Sequence, residues 1–320
     1  MFRHILVPLD GSPLAECVLP HVAALGKAFG ADVTLLHVLP ESSSAGRMMP
    51  VDPLEWQASR AGAWMYLDEK VELLGTQGVK SSRVLLEGQP PQRILEHAQE
   101  HGADLIVLSS HGKDGLSGWN LASVAQKTVL RSRVSTLVIR AYRAETAGPD
   151  VPAYRRVLVP LDGSQRAECA LSPATALAGF LGAELVLAHI RVRPRPYFPQ
   201  QGPVRPEDTE LIERLVERQE GEAQQYFDRL KARLPLAVRT RIAVSEQAAV
   251  ALYDVIREEQ ADLVVMSAHG HTGTTRWPHG RTTTHFLLYG ATHVLIVQDL
   301  APHPCELTEA EQAAAEVPGH

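Results

Sequence analysis

The chain has 320 residues, which is enough for about two domains. Its composition is 45% apolar, 21% charged and only 5% aromatic, which is typical of a soluble α/β protein and excludes disordered and collagen-like chains. A net charge of −6 at pH 7 excludes a chain-wide basic field for nucleic acid or anionic membranes. The apolar runs have only the length of strands, so neither a membrane span nor a signal peptide is predicted. Three cysteines are too few for a disulfide scaffold and favour a cytoplasmic location.

The chain consists of two similar copies. Residues 4–38 match residues 156–190 at an offset of 152, with roughly half of the positions identical. Residues 103–112 then match residues 261–270 at an offset of 158. Copies of this length are domains rather than the short repeats of a solenoid. The predicted divisions are domain 1 at 1–141, a linker at 142–154, domain 2 at 155–300 and an acidic tail at 301–320.

The first copy alternates between strand-like and helix-like segments. The apolar run at 5–7 predicts a strand buried on both faces. Ser12 before Pro13 predicts the start of a helix, and Gly30 predicts its end. The further predicted elements are, in order, a strand at 32–38, a helix near 54–77, a strand at 83–87, a helix at 91–100, a strand at 104–109, a helix near 120–131 and a strand at 135–139. This alternation predicts a doubly wound, Rossmann-like parallel sheet flanked by helices in each copy.

The carboxyl ends of the predicted strands are the expected ligand site, because open α/β sheets bind ligands where the strand order reverses. The residues at these ends are Asp10 and His37–Val38 in the first copy and Asp162 and His189–Ile190 in the second. The loops at 109–123 and 267–281 follow the fourth strands, are rich in Gly, Ser and Thr, and run into helix N-termini. Free N–H groups and the helix dipole favour a phosphate there. The pattern predicts a nucleotide site, although a tight turn with a helix cap is the simpler explanation of Asp10-Gly11-Ser12 taken alone.

The motifs at these strand ends occur in the same order in both copies. They are ILVPLDGS at 5–12, VLVPLDGS at 157–164, LLHV at 35–38, and ADLIVLSSHG at 103–112 with its counterpart at 261–270. In these residues, and over nearly its whole length, the chain resembles the universal stress protein family. The resemblance implies a five-stranded parallel sheet in each domain and two domains that pair much as separate subunits do. It also implies, for ATP-binding members, a Gly-x-x-Gly motif followed after nine residues by Gly-Ser or Gly-Thr.

Both copies depart from that glycine motif. The first copy has Ser109-x-x-Gly112 and then Ala122-Ser123, so two glycines become small residues and the hydroxyl is kept. The second copy has Ser267-x-x-Gly270 and then Gly280-Arg281, so the hydroxyl becomes a guanidinium. A cation in the first turn of a helix is unfavourable unless it pairs with an anion. Either a bound phosphate or a nearby carboxylate would be a suitable anion to pair with Arg281.

Two functions follow from the resemblance and its departures. The first is an adenine-nucleotide-binding stress-response protein, in which ATP occupancy of one or both domains controls domain or subunit association. The second is an interaction module that binds protein partners without nucleotide. Mg²⁺ is expected to bind through the phosphates of the nucleotide, since the sequence shows no dedicated set of Mg²⁺ ligands. The sequence predicts at most slow ATP hydrolysis, and it is compatible with a homodimer. The expected nucleotide contacts are Asp10, Val38, Gly112, Lys113 and Ser123 in the first copy and Asp162, Ile190, Gly270, Gly280 and Arg281 in the second.

Two groups of histidines invite a metal interpretation. His97 and His101 form an H-x-x-E-H pattern that resembles that of inverted zinc proteases. Their helix ends just before the fourth strand, away from the expected crevice, and the helix dipole alone favours histidine there. Four further histidines lie in the second glycine-bearing loop and the helix after it: His269, His271, His279 and His285. We expect no metal at either group.

Overall fold

A computed structural model describes residues 1–40, 52–112, 121–141, 154–193, 206–271 and 277–299. Lys113, most of the predicted linker and the predicted tail lie outside the described residues, and the predicted domain boundaries stay a prediction. No helix among the described residues is both long enough and apolar enough to cross a membrane. The chain divides into two compact units. The first is Met1–Ala153, Thr275–His279 and Leu287–Gln298, and the second is Tyr154–Thr274, Gly280–Phe286 and Asp299–His320.

The first copy alternates strands and helices as its sequence predicts. Its strands are β1 (His4–Pro8), β2 (Asp32–Leu39), β3 (Ser81–Glu87), β4 (Leu105–Ser109) and β5 (Ser135–Ile139). Its helices are α1 (Pro13–Glu16), α2 (Leu19–Phe29), α3 (Pro53–Thr76), α4 (Pro90–Glu100) and α5 (Ser123–Arg131).

The second copy repeats this order. Its strands are β6 (Arg156–Leu161), β7 (Glu184–Val192), β8 (Val238–Ser245), β9 (Leu263–Ser267) and β10 (His293–Val297). Its helices are α6 (Gln165–Glu168), α7 (Leu171–Leu181), α8 (Pro206–Arg233), α9 (Ala248–Glu258) and α10 (Arg281–Tyr289).

The sheets are parallel apart from one strand pair. In the first unit the order is β3-β2-β1-β4-β5-β10, and the order reverses between β1 and β4. The last pair, β5 and β10, is antiparallel, with Val138 opposite Val294. In the second unit the order is β9-β6-β7-β8, with every pair parallel. The doubly wound α/β fold is confirmed.

Burial explains why the central strands read as continuous apolar runs. Every residue of β4 and β5 is buried, and Ile5, Leu6 and Val7 of β1 are fully buried. Strands covered by helices on both faces have no solvent side and need no polar alternation. The core positions that were predicted from these runs therefore lie where they were expected.

The first predicted helix is wrong in one respect, because it is two helices. Ser12 caps α1 by accepting a hydrogen bond from the Ala15 N–H, and Gly30 ends α2 in the left-handed conformation at φ 63°. Between them the helix breaks at Cys17 and Val18. Pro20 lies in the first turn of α2, and Pro173 lies in the first turn of α7 in the second copy, which breaks at the same place. A proline lacks the backbone N–H that would continue the preceding helix, so both breaks coincide with a proline.

Candidate functional site

The first unit has a pocket of about 140 Å³ at the carboxyl ends of β1, β2 and β4, next to the reversal of strand order. Asp10, Val38 and Gly112, which were predicted as contacts, line it. Ser109 and Ala122, the replacements of motif glycines, also line it and do not fill it. The other lining residues are Pro8, Leu9, Ala15, Leu36, Pro90, Ile94, Leu108, His111, Val124, Ala125 and Thr128. The walls are therefore mainly apolar, with a carboxylate at one side.

Asp10 has a structural task besides lining the pocket. Its Oδ1 accepts hydrogen bonds from the Ser12 backbone N–H at 3.0 Å and from the Ser12 hydroxyl at 2.6 Å. The Ser12 Oγ in turn accepts from the Ala15 N–H at 3.1 Å. Gly11 between them has a φ of 81°, which glycine adopts without strain. The turn-and-cap explanation of the Asp-Gly-Ser motif is confirmed.

Gly112 brings the loop after β4 against the carboxylate of Asp10. A Cβ at Gly112 would lie 2.1 Å from Asp10 Oδ2. In the second unit a Cβ at Gly270 would lie 2.2 Å from Asp162 Oδ2. The retained glycine of each altered motif is thus needed for a close approach between two loops.

We expect Gly112→Ala to destabilise the first unit by roughly 1–3 kcal/mol, because the Asp10 carboxylate must move and loses its bonds to Ser12. The free energy of unfolding in urea, followed by circular dichroism, measures the change. Gly62→Ala is the matched control, since a Cβ at Gly62 has nothing within 4 Å. It should stabilise helix α3 by about 0.5–1 kcal/mol. Equal effects of the two substitutions would contradict the assignment.

The loop histidine of the first unit is held by packing and by a serine. His111 is 3% exposed, and its Nδ1 lies 3.0 Å from Ser110 Oγ. The Ser110 hydroxyl also accepts a hydrogen bond from the Ala141 N–H at 3.0 Å. Nearby, burial raises the pKa of the Cys17 thiol against the opposing effect of its hydrogen bond to Ser109. The raised pKa disfavours the thiolate form of Cys17, which is the nucleophilic form.

The N-terminus of α5 opens beside the pocket. Its cap residue, Ala122, has extended backbone angles and no side chain to bond the first N–H groups of the helix. Ser123, predicted as a contact, is the first residue of α5 and is exposed beside this cap. A helix start without a side-chain cap leaves N–H donors for an anion.

The aspartate of the second unit makes the same turn and one more bond. Asp162 Oδ1 accepts from the Ser164 N–H at 2.9 Å and from its hydroxyl at 2.5 Å. Asp162 Oδ2 accepts from the His271 N–H at 2.7 Å. Burial raises the pKa of Asp162, but the hydrogen bonds from Ser164 and His271 outweigh it and hold that pKa below its usual range. The carboxylate is therefore anionic at neutral pH and ties two loops together.

The other predicted contacts of the second unit lie at the same strand and helix ends. Ile190 is near the end of β7, and the Gly280 N–H donates to the Ala268 carbonyl at 2.8 Å. Arg281 is the first residue of α10, is exposed, and forms no ion pair within the described part of the chain. Of the two anions considered for Arg281, a phosphate and a carboxylate, the carboxylate is thus not seen among these residues.

A buried charged group in the second unit was missed by sequence reasoning. His269 Nδ1 lies 2.7 Å from Asp299 Oδ1, and both side chains are 1% exposed. Arg166 Nε approaches the other oxygen of Asp299 at 3.4 Å. The corresponding residue in the first copy is Ala141, so the group belongs to the second copy alone. A single aspartate just after the last strand carries no sequence signal of this role.

Described histidines of both groups contact other side chains. The rings of His97 and His101 stack at 3.9 Å, and Tyr253 Oη lies 3.1 Å from His285 Nδ1. Nowhere in the described ranges are three or more His, Cys, Asp or Glu side chains arranged to hold a metal ion.

The helical walls of the pocket were also missed. Ile94 of α4 and both Ala125 and Thr128 of α5 line the pocket. Their helical spacing marks them as core residues, and the three are indeed buried. Spacing alone does not say whether such a face meets a closed core or the open end of a sheet.

Comparison with known proteins identifies the family. The model of the universal stress protein family matches residues 1–140 and 153–298. A universal stress protein of Methanocaldococcus jannaschii is 28% identical over 157 residues, covering 45% of this chain and 86% of the relative. The universal stress protein YxiE of Bacillus subtilis is 32% identical over 149 residues, covering 44% of this chain and all of the relative.

Solved structures show the same fold over most of the chain. A protein of Pseudomonas aeruginosa described as a putative universal stress protein has a TM-score of 0.65 at 17% identity, covering 93% of this chain and 94% of its own. A universal stress protein of Archaeoglobus fulgidus has a TM-score of 0.59 at 18% identity, covering 92% of this chain and 98% of its own. The chain therefore belongs to the universal stress protein family and carries the family domain twice in tandem.

Proposed function

We propose that the first unit binds an adenine nucleotide such as ATP in the pocket beside Asp10. The observation that carries the proposal is the position of this apolar pocket, which lies at the reversal of strand order and directly beside the uncapped start of α5. Sites of this kind in doubly wound sheets suit a ligand with one apolar end and one anionic end.

The base is the part of the nucleotide that the pocket accommodates. The pocket has a volume of about 140 Å³. A protein cavity of about 150 Å³ is large enough to hold an aromatic ring. Val38, Ile94 and Ala125 give the base apolar surfaces. Asp10 and the backbone at Gly112 supply polar groups at the rim, on the side where the ribose would lie.

The phosphates belong at the N-terminus of α5. Ala122 gives no competing side-chain cap, so the first N–H groups of the helix are donors for phosphate oxygens. Lys113 and Ser123 are proposed to add a charge and a hydroxyl at this end. Mg²⁺ would be held by the phosphates, since the described residues contain no metal-binding group of three or more ligands. The second unit is proposed to use Asp162, Ile190, Gly270, Gly280 and Arg281 in the same way.

Ala122→Asp and Ala122→Asn form the sharpest test. Either side chain caps α5 and should raise its stability by roughly 0.5–2 kcal/mol. Only aspartate brings a negative charge to the phosphate site, so we expect it to weaken Mg-ATP binding about tenfold or more relative to asparagine. Isothermal titration calorimetry measures the affinities, and thermal unfolding confirms that both variants fold.

Wild-type protein without any heat of binding at millimolar Mg-ATP would exclude the proposal. Equal affinities of the two variants would place the phosphates elsewhere. Gel filtration with and without ATP tests the further proposal that occupancy changes domain or subunit association. If nucleotide neither binds nor co-purifies, the alternative of a nucleotide-independent interaction module is the one supported by the two replaced glycines of the first motif.

A further inference from the structure

The two copies differ in charge along their long helices, α3 and α8. The ring of Tyr66 on α3 meets that of His37 at 6.2 Å and 66°, and Tyr226 on α8 meets His189 at the same distance and angle. This equivalence sets the register between the helices. In that register three glutamates of α8 replace non-acidic residues of α3: Glu213, Glu217 and Glu220 stand where α3 has Pro53, Gln57 and Arg60.

No described neighbour neutralises these three glutamates. Elsewhere on α8, Glu210 pairs with Arg214 at 2.5 Å, and Glu222 pairs with Arg218 at 3.0 Å. The three are exposed and form no ion pair or hydrogen bond within the described ranges. Their i, i+4, i+7 spacing puts them on one face of the helix. We call Glu213, Glu217 and Glu220 the acidic face of α8.

The acidic face is one wall of a groove whose floor is β8. Two adjoining hollows of about 510 and 420 Å³ share Glu217 and Glu220. Ile242 and Val244 of β8 are half-buried and line the floor. β8 is the last strand in the sheet order, so its outer backbone edge has no strand partner among the described residues. The groove thus combines an apolar floor, an open strand edge and a negative wall.

The arginines of β8 do not cancel this charge. Arg239 and Arg241 pair with Glu259 and Glu258 of the α9 region at 2.7 Å each. Side chains alternate along a strand, so these arginines lie on the face opposite Ile242. Arg193 lines one end of the groove, where Glu246 lines it too. Among its described lining residues the groove is acidic overall, which disfavours nucleic acid and favours a cationic partner.

We propose that this groove binds an extended, basic segment of a partner protein, which adds to the open edge of β8. Side chains on one face of such a segment are about 6.6–6.8 Å apart, close to the rise of about 6 Å between Glu213 and Glu217 along the helix. Alternating arginines or lysines would lay their apolar stems over Ile242 and Val244 and place their charged ends on the acidic face. The proposal is independent of nucleotide binding.

A labelled peptide of alternating arginine and threonine provides the test, with binding to the full chain followed by fluorescence anisotropy. We expect saturable binding that Glu217→Gln with Glu220→Gln weakens about tenfold. The matched control is Glu210→Gln with Glu222→Gln, which removes two charges from the same helix but outside the groove. The control should change the affinity by less than about twofold. Glutamine keeps the shape and helix propensity of glutamate, so folding is preserved.

Three results would overturn the proposal. They are no saturable binding of the peptide, equal weakening by the two double variants, and equal binding of a peptide with the same residues in blocks. The second result would show attraction to the net charge of α8 rather than to the groove. The third would show that an extended strand is not the form that binds.

Discussion

Replacing His21 with glutamine should make the protein less sensitive to acid. Burial and the neighbouring ring of His293, 5.2 Å away, lower the pKa of His21 to about 3. In the second unit burial and the charge of Arg191 lower the pKa of His189 to about 4, against the opposing charge of Asp162. Both imidazoles are therefore neutral in the folded protein under conditions in which they are protonated in the unfolded chain.

The sign of the effect follows from these shifts. A histidine whose pKa is lower in the folded protein does not affect the free energy of unfolding at a pH above its unfolded pKa of about 6.5. As the pH falls from 6.5 toward the folded pKa, the histidine lowers the free energy of unfolding. Between pH 6.5 and 4.5 each should lower the free energy of unfolding by on the order of 2 kcal/mol.

Urea unfolding at pH 7 and pH 4.5 measures this for wild type and for His21→Gln and His189→Gln. Carboxylates contribute equally to all of these proteins, so the comparison isolates the histidines. His271→Gln is the control, because the His271 side chain is exposed and only its backbone bonds Asp162. If all three variants lose as much stability as wild type between the two pH values, His21 and His189 do not govern acid sensitivity.

Replacing Asp299 with alanine should destabilise the second unit by about 3 kcal/mol. The substitution leaves the buried His269 Nδ1 without its partner at 2.7 Å and leaves Arg166 without the oxygen at 3.4 Å. Removing one member of a buried charged group costs far more than removing one member of an exposed pair. Asp299→Asn should cost less, since its amide oxygen still accepts from His269.

The exposed pair of Glu210 and Arg214 provides the control on the same unit. Glu210→Ala should change the free energy of unfolding by less than about 0.5 kcal/mol, because both partners are well solvated. Urea denaturation at pH 7 compares the three variants. A loss for Asp299→Ala no larger than that for Glu210→Ala would show that the buried group does not stabilise the fold.

Much of the fold was predictable because local signals agreed with one another. Apolar runs such as Leu105–Leu108, the Ser12 cap and the Gly30 stop each fix an element through nearby residues. The antiparallel pairing of β5 with β10 was not predicted from the sequence. Partners far apart in sequence leave no periodic pattern that names them.

The candidate site was predictable in part for the same reason. Asp10, Val38 and Gly112 lie at strand ends, and topology brings such ends together. Gly112 is now explained by its approach to Asp10, which no motif states. The sequence did not predict that Thr128 lines the pocket or that Asp299 pairs with His269. These roles depend on which helix face, or which stretch after a strand, reaches the site in three dimensions.

The strand pair β5–β10 has a consequence for the duplication of the gene. The first copy contributes β5 and the second contributes β10, with Leu137 opposite Leu295. In a single-copy ancestor a second molecule would have to supply the strand that pairs with β5. Without that strand, the unpaired edge of the sheet could pair with other chains and aggregate. Fusion makes the encounter intramolecular, so its effective concentration no longer falls with dilution. The paired surface of each copy then no longer has to be complementary to an identical surface. Residues at equivalent positions, such as Arg140 and Gln298, are therefore able to differ.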